Sequence, residues 1–288
     1  MFPDYQSMYF NEVNRLEAMG WKNWKQNENK MFAPLERHSG EISFPSEAWD
    51  PNQVNSEAEG VWAQLRASKI IRVIQERDLD LLWEVGAGNG TVAIPLAKQH
   101  IPVIAIEPLE TGAQSLATAG FASYLGTLQE LNLPNSSIKA IGLFDVLEHI
   151  EKPGEILEEI KRVLLPSGVL IITVPAHNFL FSDFDLSIGH YRRYSRATLT
   201  ETLKESGLNL DSIDYFFQTL VIPAFILRRI PYLLGRRNNF SDVKNTIVRQ
   251  SRVMQIMNLI VKLAFKIENY FNLPFGLSII AVVRKSEK

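Results

Sequence analysis

Four short apolar runs mark the middle of the chain, at 79–85, 103–106, 140–144 and 169–174, separated by segments long enough for helices. Runs that stay apolar at successive positions suit strands buried on both faces, so the pattern predicts an α/β fold: a Rossmann-like, doubly wound, mostly parallel sheet. The clearest crossover helix is expected over 154–165. Ile156, Leu157, Ile160, Val163 and Leu164 fall there at helical spacing, and Pro166-Ser167-Gly168 provides a stop. A second capped helix begins near Ser195 and ends at Gly207, a sixth strand follows over 208–216, and the last apolar run is 277–283. Ahead of the sheet, Ser56 and Glu59 form a capping-box pattern for a helix whose apolar face holds Trp62, Leu65, Ile70, Val73 and Ile74. Residues 1–55, broken by Pro34, Pro45 and Pro51, show no sustained period and are expected to be a partly helical extension.

Of the 288 residues 46% are hydrophobic and 22% charged, enough apolar material for a substantial core. The absence of Cys excludes a disulfide framework, a thiolate metal site and a cysteine nucleophile. Residues 1–7 have neither a basic nor an apolar leader region, so the expected location is cytoplasmic. The formal net charge of -2 hides an asymmetry: residues 219–267 carry nine basic residues against Asp242 alone, a local +8 that leaves -10 elsewhere. That segment is also apolar, yet Gln218, Pro223 and Arg228-Arg229 interrupt it before a spanning length is reached. Val253, Ile256, Met257, Ile260, Val261, Ala264 and Phe265 recur within it at helical spacing. Such a basic helix suits peripheral contact with an anionic membrane, a lid over a substrate site, or a contact between copies in an oligomer. The resulting division is 1–55, extension; 56–216, core; 217–274, helical insertion; and 275–288, final strand and tail.

The most informative motif is Glu84-Val85-Gly86-Ala87-Gly88-Asn89-Gly90-Thr91, where a strand runs into a glycine-rich turn. Glycine there permits a sharp turn and lets a ligand approach main-chain N–H groups. Thr91 stands where the dinucleotide fingerprint has its third glycine, which argues against NAD and FAD. The second strand then ends in Glu107, a position from which an acid can accept both hydroxyl hydrogens of a ribose.

With Glu107-Pro108, the segment from Phe144 to Ile150 (Phe-Asp-Val-Leu-Glu-His-Ile) and Leu164-Leu165-Pro166-Ser167-Gly168, this loop resembles the class I S-adenosylmethionine-dependent methyltransferases. The resemblance covers roughly 56–215. It implies about seven strands with the last antiparallel, S-adenosyl-L-methionine as cofactor, and a site built from Glu84, Gly86, Ala87, Gly88, Gly90, Glu107, Pro108, Thr127, Leu128, Asp145 and Val146. Glu107 would hold the ribose, and Thr127 and Leu128 would border the adenine, although many relatives have Asp at the position of Thr127. Asp145 would lie near the reacting methyl; as a residue, it could equally cap the following helix.

The insert after the fifth strand carries Gly189-His190-Tyr191-Arg192-Arg193-Tyr194, resembling a subset of methyltransferases that act on sugars, glycolipids or secondary metabolites. Arg192 and Arg193 suit an anion clamp and Tyr191 and Tyr194 an apolar wall; equally, the arginines pair with acids and the tyrosines pack the loop. His149 and His190 are the candidate proton acceptors, because imidazole titrates nearest neutrality. Glu148, adjacent to His149, is not expected to share its site. No metal is expected, since the spacing of the His and Asp residues matches no ligand motif. The acceptor would be an oxygen or carbon of a small molecule, sugar or lipid-linked compound, and no nucleic-acid module is visible. The competing readings are a catalytically silent binding scaffold and an NAD-dependent oxidoreductase.

Overall fold

The computed structural model describes residues 6–22, 24–26, 32–34, 60–235, 252–268 and 273–285. In chain order come α1 (Gln6–Ala18), β1 (Trp24–Gln26), β2 (Phe32–Pro34), α2 (Val61–Glu76), β3 (Leu82–Val85), α3 (Ala93–Lys98), β4 (Val103–Glu107), α4 (Glu110–Thr118), β5 (Ala122–Leu125) and β6 (Ile138–Phe144). There follow α5 (Pro153–Val163), β7 (Leu164–Pro175), α6 (Asp183–Ser187), α7 (Arg196–Glu205), β8 (Leu208–Phe216), α8 (Val221–Ala224), α9 (Ile230–Leu233), α10 (Arg252–Glu268) and β9 (Ser278–Lys285).

The strands form one sheet in the order β1-β2-β5-β4-β3-β6-β7-β9-β8. The seven strands from β3 onward are the expected Rossmann-like core: β3 to β7 are parallel, and β9 runs antiparallel between β7 and β8. The extension contributes more than helix. Beyond α1 it adds two three-residue strands at the sheet edge, with Phe32 opposite Tyr124. Their rings stack at 4.9 Å, an aromatic contact that offsets the meagre pairing of so short a strand.

Successive residues of each central strand serve opposite faces. On β9, Ile279, Ala281 and Val283 pack into the core beneath α1, α5 and α7, while Ile280 and Val282 face α2, α3 and α10. Two cores thus form, and the continuous apolar runs follow from burial on both sides. Helix α2 buries Ala63, Ala67, Ile70 and Ile74, spaced four, three and four apart. The expected capping box at Ser56 and Glu59 lies outside the described residues, and Trp62 is not in the core but stacks outside it on Phe217 at 3.8 Å. Helix α5 ends two residues earlier than expected, because Leu164 already pairs with Ile138. The next pair is Ala140 with Val169, which leaves Pro166-Ser167-Gly168 in a bulge of β7.

After β8 the chain turns through Phe217, which adopts φ 57, into α8, a π-helical turn at Phe225–Arg229 and α9. The end of α10 closes this excursion: Glu268 accepts from Phe217 N at 3.2 Å and from Gln218 N. Phe265 of α10 is buried in the core on the α2 side. No helix among the described residues is long and apolar enough to cross a membrane.

Candidate active site

The glycine loop lies at the carboxyl ends of β3 and β4, the side on which open parallel sheets bind ligands. Gly86, Gly88 and Gly90 have φ of 73, 56 and 73. Gly86 N and Ala87 N both donate to Ile106 O, at 2.8 and 3.2 Å, which fastens the loop to β4. Glu107 is buried and already engaged. Its Oε2 accepts from Gly88 N at 2.7 Å and its Oε1 from Leu109 N at 2.8 Å. Burial, opposed by those two amides, raises its pKa to about 7. Each carboxylate oxygen has a second lone pair, so engagement with the loop leaves capacity for ribose hydroxyls.

Glu84 is buried beneath the same loop, and its Oε2 meets no hydrogen-bond donor among the described residues. Burial pushes its pKa up to about 8, with Arg66 pulling down and Glu107 pushing up. Pro108 is half-buried next to Glu107. Thr127 is committed locally: its N donates to Glu130 Oε2 at 2.7 Å, and its hydroxyl accepts from Glu130 N at 3.2 Å. Leu128 packs its side chain into the core, so its backbone is what remains for a ring at this edge.

Asp145 is not a helix cap, since the turn after it has no side-chain cap bond and Asp145 itself adopts φ 54. Its Oδ1 accepts from Thr173 Oγ1 at 3.0 Å, and its Oδ2 is paired with Arg66 of α2. Arg66 also donates to Thr91 Oγ1 at 2.7 Å, so one guanidinium spans the cleft from β6 to the glycine loop. Sequence reading missed Arg66: it lies in a helix read for its apolar face, and no periodicity flags it.

The 3-10 turn Leu147–His149 meets the insert. His149 and His190 lie edge to face with ring centroids 4.6 Å apart. Glu148, expected elsewhere, belongs to the same group: it is fully buried, 3.7 Å from His190 Nε2. The insert is folded onto this turn by a bond from Tyr191 N to Glu148 O at 2.8 Å. His190 Nδ1 is 2.9 Å from Asp185 Oδ1, which also accepts from Arg193 Nε at 2.7 Å. Burial, then His190, lowers the His149 pKa to about 4, against the pull of Asp145 and a bond with the Gly189 backbone. An imidazole held there is neutral at pH 7 but a weak proton acceptor, which counts against His149 as a general base. Arg192 donates to Glu151 O at 2.6 Å, and Tyr194 is buried with its hydroxyl 3.4 Å from Leu147 O. The arginines and Tyr194 thus hold the insert together, and of these four residues Tyr191 alone is exposed.

A family model for the methyltransferase domain matches residues 62–213, more than half of the chain. The chain belongs to the S-adenosylmethionine-dependent methyltransferase family. A probable S-adenosylmethionine-dependent methyltransferase of Mycolicibacterium smegmatis is 35% identical over 30% of this chain and 34% of its own. One of Mycobacterium tuberculosis is 30% identical over 43% of this chain and 47% of its own. The methyltransferase thus spans less than half the length of these curated relatives. Among solved structures, a putative sarcosine dimethylglycine methyltransferase from Galdieria sulphuraria is similar at TM-score 0.49, with 18% identity over 77% of this chain and 86% of that one. A possible histamine N-methyltransferase from Thermotoga maritima is similar at 0.48, with 18% identity over 82% and 93%.

The cofactor of the family is S-adenosylmethionine, and the residues present fit it. Glu84 Oε2 is a buried acceptor without a donor among the described residues, and the cofactor carries an ammonium. Gly86 lets the loop lie directly against Val146, where a Cβ would stand 2.6 Å from Val146 Cγ2. A pH dependence follows. Glu84 and Glu107 have folded pKa values raised above the ordinary 4.5, so their stabilising contribution is full at acid pH and is lost as pH rises through 7 and 8. The groups facing Glu84 are Arg66 and Glu107; Glu107 meets the amides of Gly88 and Leu109. The melting temperature of the unliganded protein should therefore fall from about pH 4.5 to about pH 8 and level off above it, and Glu84→Gln, uncharged throughout, should flatten the slope. Parallel melting curves for the two proteins would remove Glu84 from this account.

Proposed function

We propose that this chain moves the methyl group of S-adenosylmethionine to a hydroxyl of an amphipathic, lipid-linked acceptor presented at a membrane surface. The observation that carries the reading is the convergence of Glu148, His149 and His190 next to Asp145 and Val146, where β6 meets the glycine loop. When bound, the cofactor supplies a methyl already activated on a sulfonium. The chain's own work is alignment, which can lower a barrier by roughly 7 to 11 kcal/mol. The glycine loop and Glu107 orient one reactant; the turn Leu147–His149 and the insert receive the other.

The lipid-linked acceptor is supported by the outward surface of the insertion. Ile222, Ile226 and Leu227 are exposed before α9, and Leu259, Leu263 and Ile267 are exposed on α10 beside exposed Lys262 and Lys266. On α10 the expected stripe splits: Phe265 turns inward, Ile260 is exposed, and the side chains of Val253, Ile256 and Met257 lie outside the described residues. Apolar side chains flanked by lysines match an anionic interface, with the apolar groups entering the acyl boundary and the cations meeting headgroups.

The test has two arms. S-adenosylhomocysteine should raise the melting temperature, and no stabilisation by it would sink the methyl-transfer reading. The parent should sediment with phosphatidylglycerol–phosphatidylcholine vesicles and methylate a hydroxyl-bearing lipid in them. Leu259→Asp with Leu263→Asp should lose both while keeping S-adenosylhomocysteine affinity. Equal sedimentation of parent and variant would sink the membrane part alone.

A further inference from the structure

We propose that Glu148, His149 and His190 bind a divalent transition-metal ion beside the methyl-transfer cleft. One ligating atom from each of the three lies within 4.8 Å of the others. Bonds of about 2.0–2.2 Å to nitrogen and oxygen place neighbouring ligand atoms roughly 3–3.5 Å apart, so side-chain rotations that shift each atom by about an ångström close the site.

The decisive feature is Glu148. Its carboxyl group is fully buried, and among the described residues neither oxygen accepts a hydrogen bond. A buried carboxylate without donors is costly, and interiors resolve that cost by retaining the proton, by a paired cation or by a metal. His190 Nε2, at 3.7 Å from Glu148 Oε1, is too far to donate a normal bond.

The second feature is the support behind His190. Asp185 Oδ1 holds Nδ1 at 2.9 Å, which leaves Nε2 as the ligating atom and fixes the ring plane. Asp185 is itself buried and held by Arg193 Nε at 2.7 Å and Ser182 N at 2.9 Å. The bond from Tyr191 N to Glu148 O brings the insert's ligand to the turn's two ligands before any ion arrives. Adjacent Glu148 and His149, with a third ligand supplied from a distant insert, form no spacing motif, which is why the sequence predicted no metal.

Two imidazoles and one carboxylate favour manganese, iron, cobalt or zinc over magnesium or calcium. Three protein ligands leave coordination positions open, as in sites that bind substrate directly. The role of the ion rests on the methyl-transfer reading. An acceptor hydroxyl bound to it would release its proton to water more readily, and its oxygen would form the new C–O bond as the C–S bond breaks, with that electron pair staying on sulfur.

The binding itself is tested without turnover. Full-length protein, stripped with a chelator, is titrated with Co²⁺ and Mn²⁺, following Co²⁺ absorption and Mn²⁺ spin resonance, with Mg²⁺ as comparison. The parent should take up one equivalent with nitrogen and oxygen ligation and bind Mg²⁺ far more weakly. Glu148→Gln and His190→Gln should each weaken binding at least tenfold, and Asp185→Asn by roughly ten- to a hundredfold through the orientation of His190. Melting curves and S-adenosylhomocysteine binding verify that each variant is folded. A parent that takes up no stoichiometric Co²⁺ or Mn²⁺, or folded variants that bind as the parent does, would overturn the site. Loss of S-adenosylhomocysteine binding by the parent would instead overturn the methyl-transfer reading, and the metal titration would stand apart from it.

Discussion

Glu107→Ala should cost the protein both cofactor affinity and stability. On sequence grounds the ribose hydroxyls are the partners of this acid, and their loss alone predicts a drop in affinity of about tenfold or more. Hydrogen bonds to charged groups are worth roughly 1.5 to 3 kcal/mol. The structure adds a second cost, because Glu107 also accepts from Gly88 N and Leu109 N. Truncation leaves those amides without their acceptor, at about 1 to 3 kcal/mol for a buried donor, and removes the Cγ against which Gly112 is packed. Calorimetry with S-adenosylhomocysteine and urea denaturation of the same preparations separate the two costs. Glu107→Gln keeps one oxygen and should retain more stability than affinity. A variant with parental affinity and parental midpoint would show that Glu107 neither binds nor braces.

The central strands and the crossover helix were legible because burial on both faces leaves continuous apolar runs, and burial on one face leaves a helical stripe. Ile156, Leu157, Ile160 and Val163 are buried as their spacing requires. The errors have local causes. Pro166-Ser167-Gly168 is compatible with a loop or a bulge, and only the pairing of Leu164 with Ile138 decides between them. The edge strands β1 and β2 are too short to show a period. The glycine loop and Glu107 were legible because their chemistry is written in consecutive residues. Arg66 and the Glu148–His149–His190 group were not. Arg66 meets Asp145 across 79 positions, and Glu148 is joined to its neighbours by the insert's path. The arginines of that insert illustrate the converse: a pattern that suits an anion clamp is consumed by Asp185, Ala176 O and Glu151 O.

Gly86→Ala should be among the most damaging single changes available. At φ +73 any L side chain is strained, at a cost of about 1 to 3 kcal/mol, and a Cβ there would lie 2.6 Å from Val146 Cγ2. That distance is shorter than van der Waals contact allows, so either the loop or Val146 must move. Moving the loop pulls Gly86 N and Ala87 N from Ile106 O, while moving Val146 displaces the turn that carries Glu148 and His149. Both routes damage the cleft, so S-adenosylhomocysteine affinity should fall at least tenfold alongside the melting temperature. Gly154 in α5 is the control: its φ is ordinary, a Cβ there meets nothing within 4 Å, and Gly154→Ala should be neutral or stabilising by up to about 1 kcal/mol. The double variant Gly86→Ala, Val146→Ala divides the cost. It relieves the collision but not the backbone strain, and should recover part of the affinity with only a fraction of the stability. If Gly86→Ala alone binds as tightly as the parent, the close approach of loop and turn is not what shapes the site.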